Sequence, residues 1–147
     1  HYFNDKDEVL LAALDLLAQR LLDRIAVADV RSVEDQLGDV LPLDEGSLDE
    51  WRVWIAFWGR AAFVPALARV HRAHYDAIES ALAGAIGGET AQLDAAAVIA
   101  AIDGIGTRVS LEPEQWPPAR QRGLLAHILR PIFTQGEYHA RTRPSAG

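Results

Sequence analysis

Apolar positions recur along most of this chain at three- and four-residue spacing, and no run shows the two-residue alternation of a half-buried strand. Leu10, Ala13, Leu14, Leu17, Leu21 and Ile25 fall on one helical stripe, widened by Val9 and Leu16. Asp5 and Glu8 have capping-box spacing, so a long buried helix is predicted from there to about Ala28. Ser32 and Asp35 repeat that signal before Leu37, Val40 and Leu41, and Pro42 stops a short second helix. A polar loop, LDEGS, follows.

Ser47 and Glu50 predict the start of a third helix. Trp51, Trp54, Ile55, Trp58, Ala61 and Ala62 share one of its faces, with Val53 and Phe57 on the flank, which leaves little of it for water. A fourth helix runs from about Pro65 to Ala85, where the glycines of GAIGGE end it. Its apolar face carries Leu67, Val70, Ile78 and Leu82, together with His71 and His74. Asp94 predicts the cap of a fifth helix reaching Pro113, in which Gly104 and Gly106 suggest close approach of another backbone. The last helix starts near WPPARQRG and carries Leu124, Leu125, Ile128, Leu129, Ile132 and Phe133. The fold class is therefore all-α, with about six helices, and the aperiodic residues 137–147 are expected to be a flexible tail.

Composition narrows the chemistry. With 147 residues, half of them apolar, the chain can bury a core without staples, and the absence of Cys excludes disulfides and thiolate metal sites. A net charge of -7 argues against nucleic-acid binding by this segment itself. No stretch reaches the roughly 20 apolar residues of a membrane span, and no signal-peptide pattern is present, so a cytoplasmic location is expected. Met is absent, and His1, Tyr2 and Phe3 precede the first cap with nothing to pack on, so a preceding segment is expected. No Ser-His-Asp arrangement or phosphate-binding glycine loop is visible, and no enzymatic activity or cofactor is expected.

The opening HYFNDKDEVLLAAL resembles the end of the DNA-binding domain in the tetracycline-repressor (TetR) family of bacterial regulators, matching at Phe3, Asp5, Lys6, Glu8 and Leu10. Downstream, LDEWRVWIAFWGRAAFVPALARVHRAHYDAIESAL and AAVIAAIDGIGTRVSL resemble the regulatory domain of its betaine-repressor (BetI-like) branch. The resemblance implies a ligand-responsive transcriptional repressor. It further implies a homodimer whose last two helices form a four-helix bundle, a small-molecule pocket in each protomer, and operator DNA bound by the intact protein. Residues 1–5 would be the remnant of a helix-turn-helix domain, and 6–136 the ligand-binding and dimerisation domain. Tyr2 and Lys6 match positions that in the family touch DNA phosphates, a role that suits a hydroxyl beside a lysine at a helix start.

The candidate ligand site combines Trp51, Trp54, Phe57 and Trp58 with His71, His74, Tyr75 and Asp103. Indole and phenyl faces suit apolar or cationic ligands; for any single one of these aromatics core filling is the commoner role, but four on one helix are hard to close-pack and at least one or two are expected to face a cavity. His71 and His74 share a helix face, but they have no third sequence-local ligand that would make a metal site. Asp103 needs a partner if buried, such as Arg108 or a ligand, and Arg60 beside the tryptophans suits an acidic ligand or an indole face. Small residues on the last helix, Ala119, Gly123 and Ala126, beside Leu125, Ile128 and Leu129, allow a seam with the Gly104 helix. Packing within one protomer accounts for them too; the family pattern favours the dimer. The competing readings are a helical metal-binding or enzymatic bundle using His71, His74 and Asp103, and a dimerisation module that takes no ligand.

Overall fold

The computed structural model describes residues 4–26 and 33–142, and its described residues form six α-helices, one 3-10 turn and no strand. The helices are α1 (Asp5–Ala26), α2 (Val33–Gly38), α3 (Glu45–Ala61), α4 (Pro65–Ile86), α5 (Ala91–Leu111) and α6 (Pro118–Thr142), with the turn at Pro113–Gln115. His1, Tyr2, Phe3 and Ser32, singled out above, lie outside the described residues.

Each start is fixed by local chemistry, in places other than expected. Asn4, not Asp5, caps α1: its Oδ1 accepts the Asp7 amide at 2.8 Å. Helix α3 begins earlier than Ser47, because Asp44 accepts the Ser47 amide at 2.8 Å while the Ser47 hydroxyl accepts the Asp44 amide, a complete capping box. Val64 precedes α4 in extended conformation and Pro65 supplies its first turn. Thr90 precedes α5, and its hydroxyl donates to Asp94 at 2.7 Å, so Asp94 sits inside the helix. Gly87, with φ at 71°, provides the left-handed step that ends α4 and turns the chain into α5.

The main core gathers Leu37, Leu41, Trp51, Leu82, Val98, Ile102, Ile105, Val109, Trp116, Leu125 and Leu129. A satellite core of Leu14, Phe57, Ala61 and Leu67 ties α1, α3 and α4 together. Val9 and Leu16, expected to widen the buried stripe of α1, are exposed, because α3 and α4 cover only the side centred on Leu14 and Ala18. Gly106 does permit a close approach, but of a side chain: a Cβ there would fall on the Trp51 ring. The Gln121 amide is buried and donates to Pro42 O at 3.0 Å and Trp116 O at 2.8 Å, tying α6 to the loop after α2. Arg108 and Arg120 cover the Trp116 ring, 4.9 and 4.0 Å from its centroid.

On the outer side of α5 and α6, Gly104, Ala119, Gly123 and Ala126 are exposed, and nothing lies within 4 Å of a Cβ built at Gly104 or Gly123. Leu125 and Leu129, placed above at a seam between subunits, are instead buried in the protomer's own core, and Ile128 packs against it half-buried. The helical period decides this: positions 125 and 129 are one turn apart on the inner face of α6, whereas 119, 123 and 126 lie on its outer face. Helix α6 also continues through Thr142, past the expected start of the tail at 137. No single helix among the described residues is long and apolar enough to cross a membrane.

Candidate functional site

Five helices enclose a cavity of about 100 Å³. Its aromatic wall follows from helical spacing: Trp51, Trp54 and Trp58 project from one side of α3, while Tyr75, Ile78 and Leu82 face them from α4. Ile99, Ile102 and Asp103 of α5, Leu37 and Val40 at the end of α2, and Leu17, Leu21 and Ile25 of α1 complete the lining. Arg20, Arg24 and Glu50 stand at its edge. A single buried water needs roughly 10–15 Å³ measured with a water-sized probe, so this space is large enough for a small organic molecule.

The rings form a contiguous set. Trp58 lies edge-on to Trp51 with centroids 6.3 Å apart, Trp54 is 6.2 Å from Trp58, and Tyr75 is 6.0 Å from Trp54. Trp51 is pinned at both ends, its indole N–H donating to Val40 O at 2.9 Å and its six-membered ring seated on Gly106. Among the described residues the buried N–H of Trp58 makes no hydrogen bond of good geometry.

Asp103 is the polar centre of the site. The Tyr75 hydroxyl donates to its Oδ2 at 2.8 Å, and among the described residues no cation pairs with it. Burial pushes the Asp103 carboxyl up to about 6, partly opposed by the Tyr75 hydrogen bond. Burial, then the adjacent carboxylate, also raises the Tyr75 hydroxyl well above its ordinary value, so the phenol remains the donor. The two arginines at the edge are engaged elsewhere: Arg20 meets Glu50 at 3.3 Å and Arg24 reaches Asp39 O at 3.4 Å. Asp103 does not bond Arg108, which lies one and a half turns further along α5 and pairs with Glu112 at 3.4 Å.

A second, more open cleft shares Trp58, Tyr75 and Asp103 with the cavity and adds Ala61, Ala62, Ala68 and His71. The His71 ring lies tilted against Tyr75 with centroids 4.1 Å apart, and burial, helped by nearby His74, lowers its pKa, which favours neutral imidazole. Phe57 and His74 line neither space. Phe57 is fully buried in the satellite core, and His74 Nε2 lies 2.7 Å from Asp15 Oδ1 of α1. His71 and Asp103 thus share the cleft while His74 turns to Asp15, and among the described residues no three His, Asp or Glu side chains converge as a metal site. Arg60, considered above as a partner for an acidic ligand or an indole, is bound to Asp7 instead. Lys6 is exposed in the first turn of α1.

Sequence reasoning missed the contribution of α1, because Leu17, Leu21 and Ile25 carry the same periodic signal as core residues. It also missed Glu50, which was read as a cap.

Comparison with known proteins agrees with this architecture. Residues 30–134 match the family described as BetI-type transcriptional repressor, C-terminal. A relative named HTH-type transcriptional regulator BetI, from Stenotrophomonas maltophilia (strain R551-3), is 29% identical over 133 residues, 83% of this chain and 68% of that protein. Another, HTH-type transcriptional regulator BetI 1 from Chromohalobacter salexigens, is 26% identical over 153 aligned positions, 97% of this chain and 76% of its own length. The crystal structure of a transcriptional regulator from Rhodococcus sp. Rha1 superposes with a TM-score of 0.77 at 29% identity, covering 92% of this chain and 76% of that one. The matched region holds α3, α4, α5 and most of α6, and with them the tryptophan wall and Asp103. The chain belongs to the BetI-type repressors of the TetR family and carries their C-terminal regulatory domain.

Proposed function

We propose that this chain is the effector-sensing and dimerisation part of a repressor that binds operator DNA through a segment preceding α1, and that its effector carries a compact organic cation. The observation that carries the ligand class is the cavity itself: three indoles and a phenol surround space that also reaches Asp103, a carboxylate with no cation partner among the described residues. Aromatic faces attract a cation by about 0.5–2 kcal/mol, more where water is excluded. A carboxylate that no cation among the described residues neutralises adds a charge the ligand can satisfy. Trp51, Trp54, Trp58, Tyr75 and Asp103 hold the ligand in this reading, with His71 reaching it from the adjoining cleft.

The protein acts as a homodimer, its seam formed by the outer faces of α5 and α6 around Gly104, Ala119, Gly123 and Ala126. Tyr2 and Lys6 contact DNA phosphates in the intact regulator. Regulation then follows from differential affinity: effector favours one arrangement of the DNA-binding segments and operator another, so each opposes the other's binding.

Tetramethylammonium tests the ligand class, with neopentane-shaped alcohols of similar size as uncharged controls and intrinsic tryptophan fluorescence as readout. Saturable quenching by the cation, at least about tenfold tighter than by the alcohols, is expected from the combined aromatic and carboxylate attraction. Equal affinity for charged and uncharged probes would overturn the cationic reading.

A further inference from the structure

One charged contact joins the tryptophan helix to the start of α1. Asp7 lies in the first turn of α1 with its side chain only 3% exposed, and Arg60 lies in the last turn of α3. Arg60 Nε donates to Asp7 Oδ1 and its Nη2 to Oδ2, both at 2.9 Å. The guanidinium holds the Asp7 carboxyl below its ordinary value. A buried carboxylate demands such a partner, and a two-point fork fixes the rotation of one helix on the other as well as their separation. Asp7 also donates its amide to the Asn4 cap, so the fork holds the residue on which the helix start is built.

Arg60 stands two residues beyond Trp58, which walls both the cavity and the cleft. Between them the α3 backbone is unbroken helix, and the satellite core beneath, with Phe57 of α3 packed on Leu14 of α1 and Leu67 of α4, leaves little slack. A shift of the tryptophan face therefore displaces Arg60, and the fork passes that displacement to the beginning of α1.

We infer that the Asp7–Arg60 fork couples occupancy of the aromatic cavity to the segment preceding α1, with Arg60 as a positioning residue that touches neither effector nor DNA. The inference rests on the reading above that the cavity takes the effector.

The test uses the intact regulator with its DNA-binding segment, tetramethylammonium as probe and the regulator's own promoter DNA. Three quantities are measured: probe affinity of the free protein, operator affinity without probe, and operator affinity at saturating probe. In the unaltered protein the ratio of the two operator affinities is expected in the range of about 5–150. Arg60→Lys, which keeps the charge but loses the fork, and Asp7→Asn should leave probe affinity within about threefold while the ratio collapses toward one. The exchange Asp7→Arg with Arg60→Asp should recover part of the ratio, which a general loss of stability would not allow. Retention of the full ratio in folded Arg60→Lys protein would overturn the inference. A ratio of one in the unaltered protein, with the probe bound, would overturn it too while sparing the cavity reading; failure of the probe to bind would sink both.

Discussion

Asp103 has its carboxyl pushed up to about 6 by burial, so its charge changes within reach of ordinary buffers. If the effector is the organic cation proposed above, it favours the ionised form, and its affinity should fall as pH drops below about 6. The other charged groups facing this space are Glu50, Arg20 and Arg24 at the edge and His71 in the cleft; protonation of His71 on acidification adds repulsion of the same sign. Asp103→Asn is expected to weaken tetramethylammonium by about tenfold at neutral pH and to flatten most of the pH profile, as read by titration calorimetry. For folding the sign reverses. A carboxyl with a raised folded pKa binds its proton more tightly in the folded state, so stability is lost as pH rises from 3.8 through about 6 and the full cost is present above that. The difference between 3.8 and about 6 corresponds to an upper limit of roughly 3 kcal/mol. Asp103→Asn should therefore raise the melting temperature at neutral pH, with the gain shrinking toward pH 4. At Asp7 the pKa is lowered, so its contribution is present above the ordinary value of 3.8 and disappears as pH falls through the depressed one.

At the scale of elements, the helices were legible because most carry a 3.6-residue stripe and α5 an almost continuous apolar run, whereas their starts were misread where two polar residues compete for the cap. Asp44 and Ser47 are both good caps, and only the reciprocal bonds between them decide for Asp44. Asp44→Ala should lower the melting temperature measurably without changing effector affinity, since the cap lies about two turns before Trp51. The tryptophan face was readable as well, but not its division of labour: Trp51, Trp54 and Trp58 line space while Phe57 fills a separate core. That division depends on where α1 crosses α3, which no local pattern encodes. Gly106 is a similar case. Its reason is the Trp51 ring, 55 residues earlier in the chain, and Gly106→Ala is expected to cost about 1–3 kcal/mol by thermal unfolding, as overpacking does.

The whole molecule presents an inner and an outer face along α5 and α6. Leu125 and Leu129 belong to the inner one, so subunit pairing, if it uses these helices, relies on the small outer residues and on half-buried Ile128. Because a Cβ at Gly104 or Gly123 meets nothing within the protomer, Gly104→Arg and Gly123→Arg should leave the fold and its melting temperature largely intact. Sedimentation is expected to show them as monomers where the unaltered protein is a dimer. A dimer that survives both changes would place the seam elsewhere. The pairing was suggested by family resemblance, and the outer position of Gly104 could not be read from sequence, because a glycine carries no hydrophobic signal for either face.

The way Trp51 is held has a consequence for anyone wishing to retune this sensor. Its indole is committed at one end to Val40 O and at the other to the notch left by Gly106, so changing it would demand compensation on two other elements at once. Trp54 faces the same space from the next turn and is bound by neither constraint. A library aimed at new effectors should vary Trp54 and leave Trp51 and Gly106 untouched.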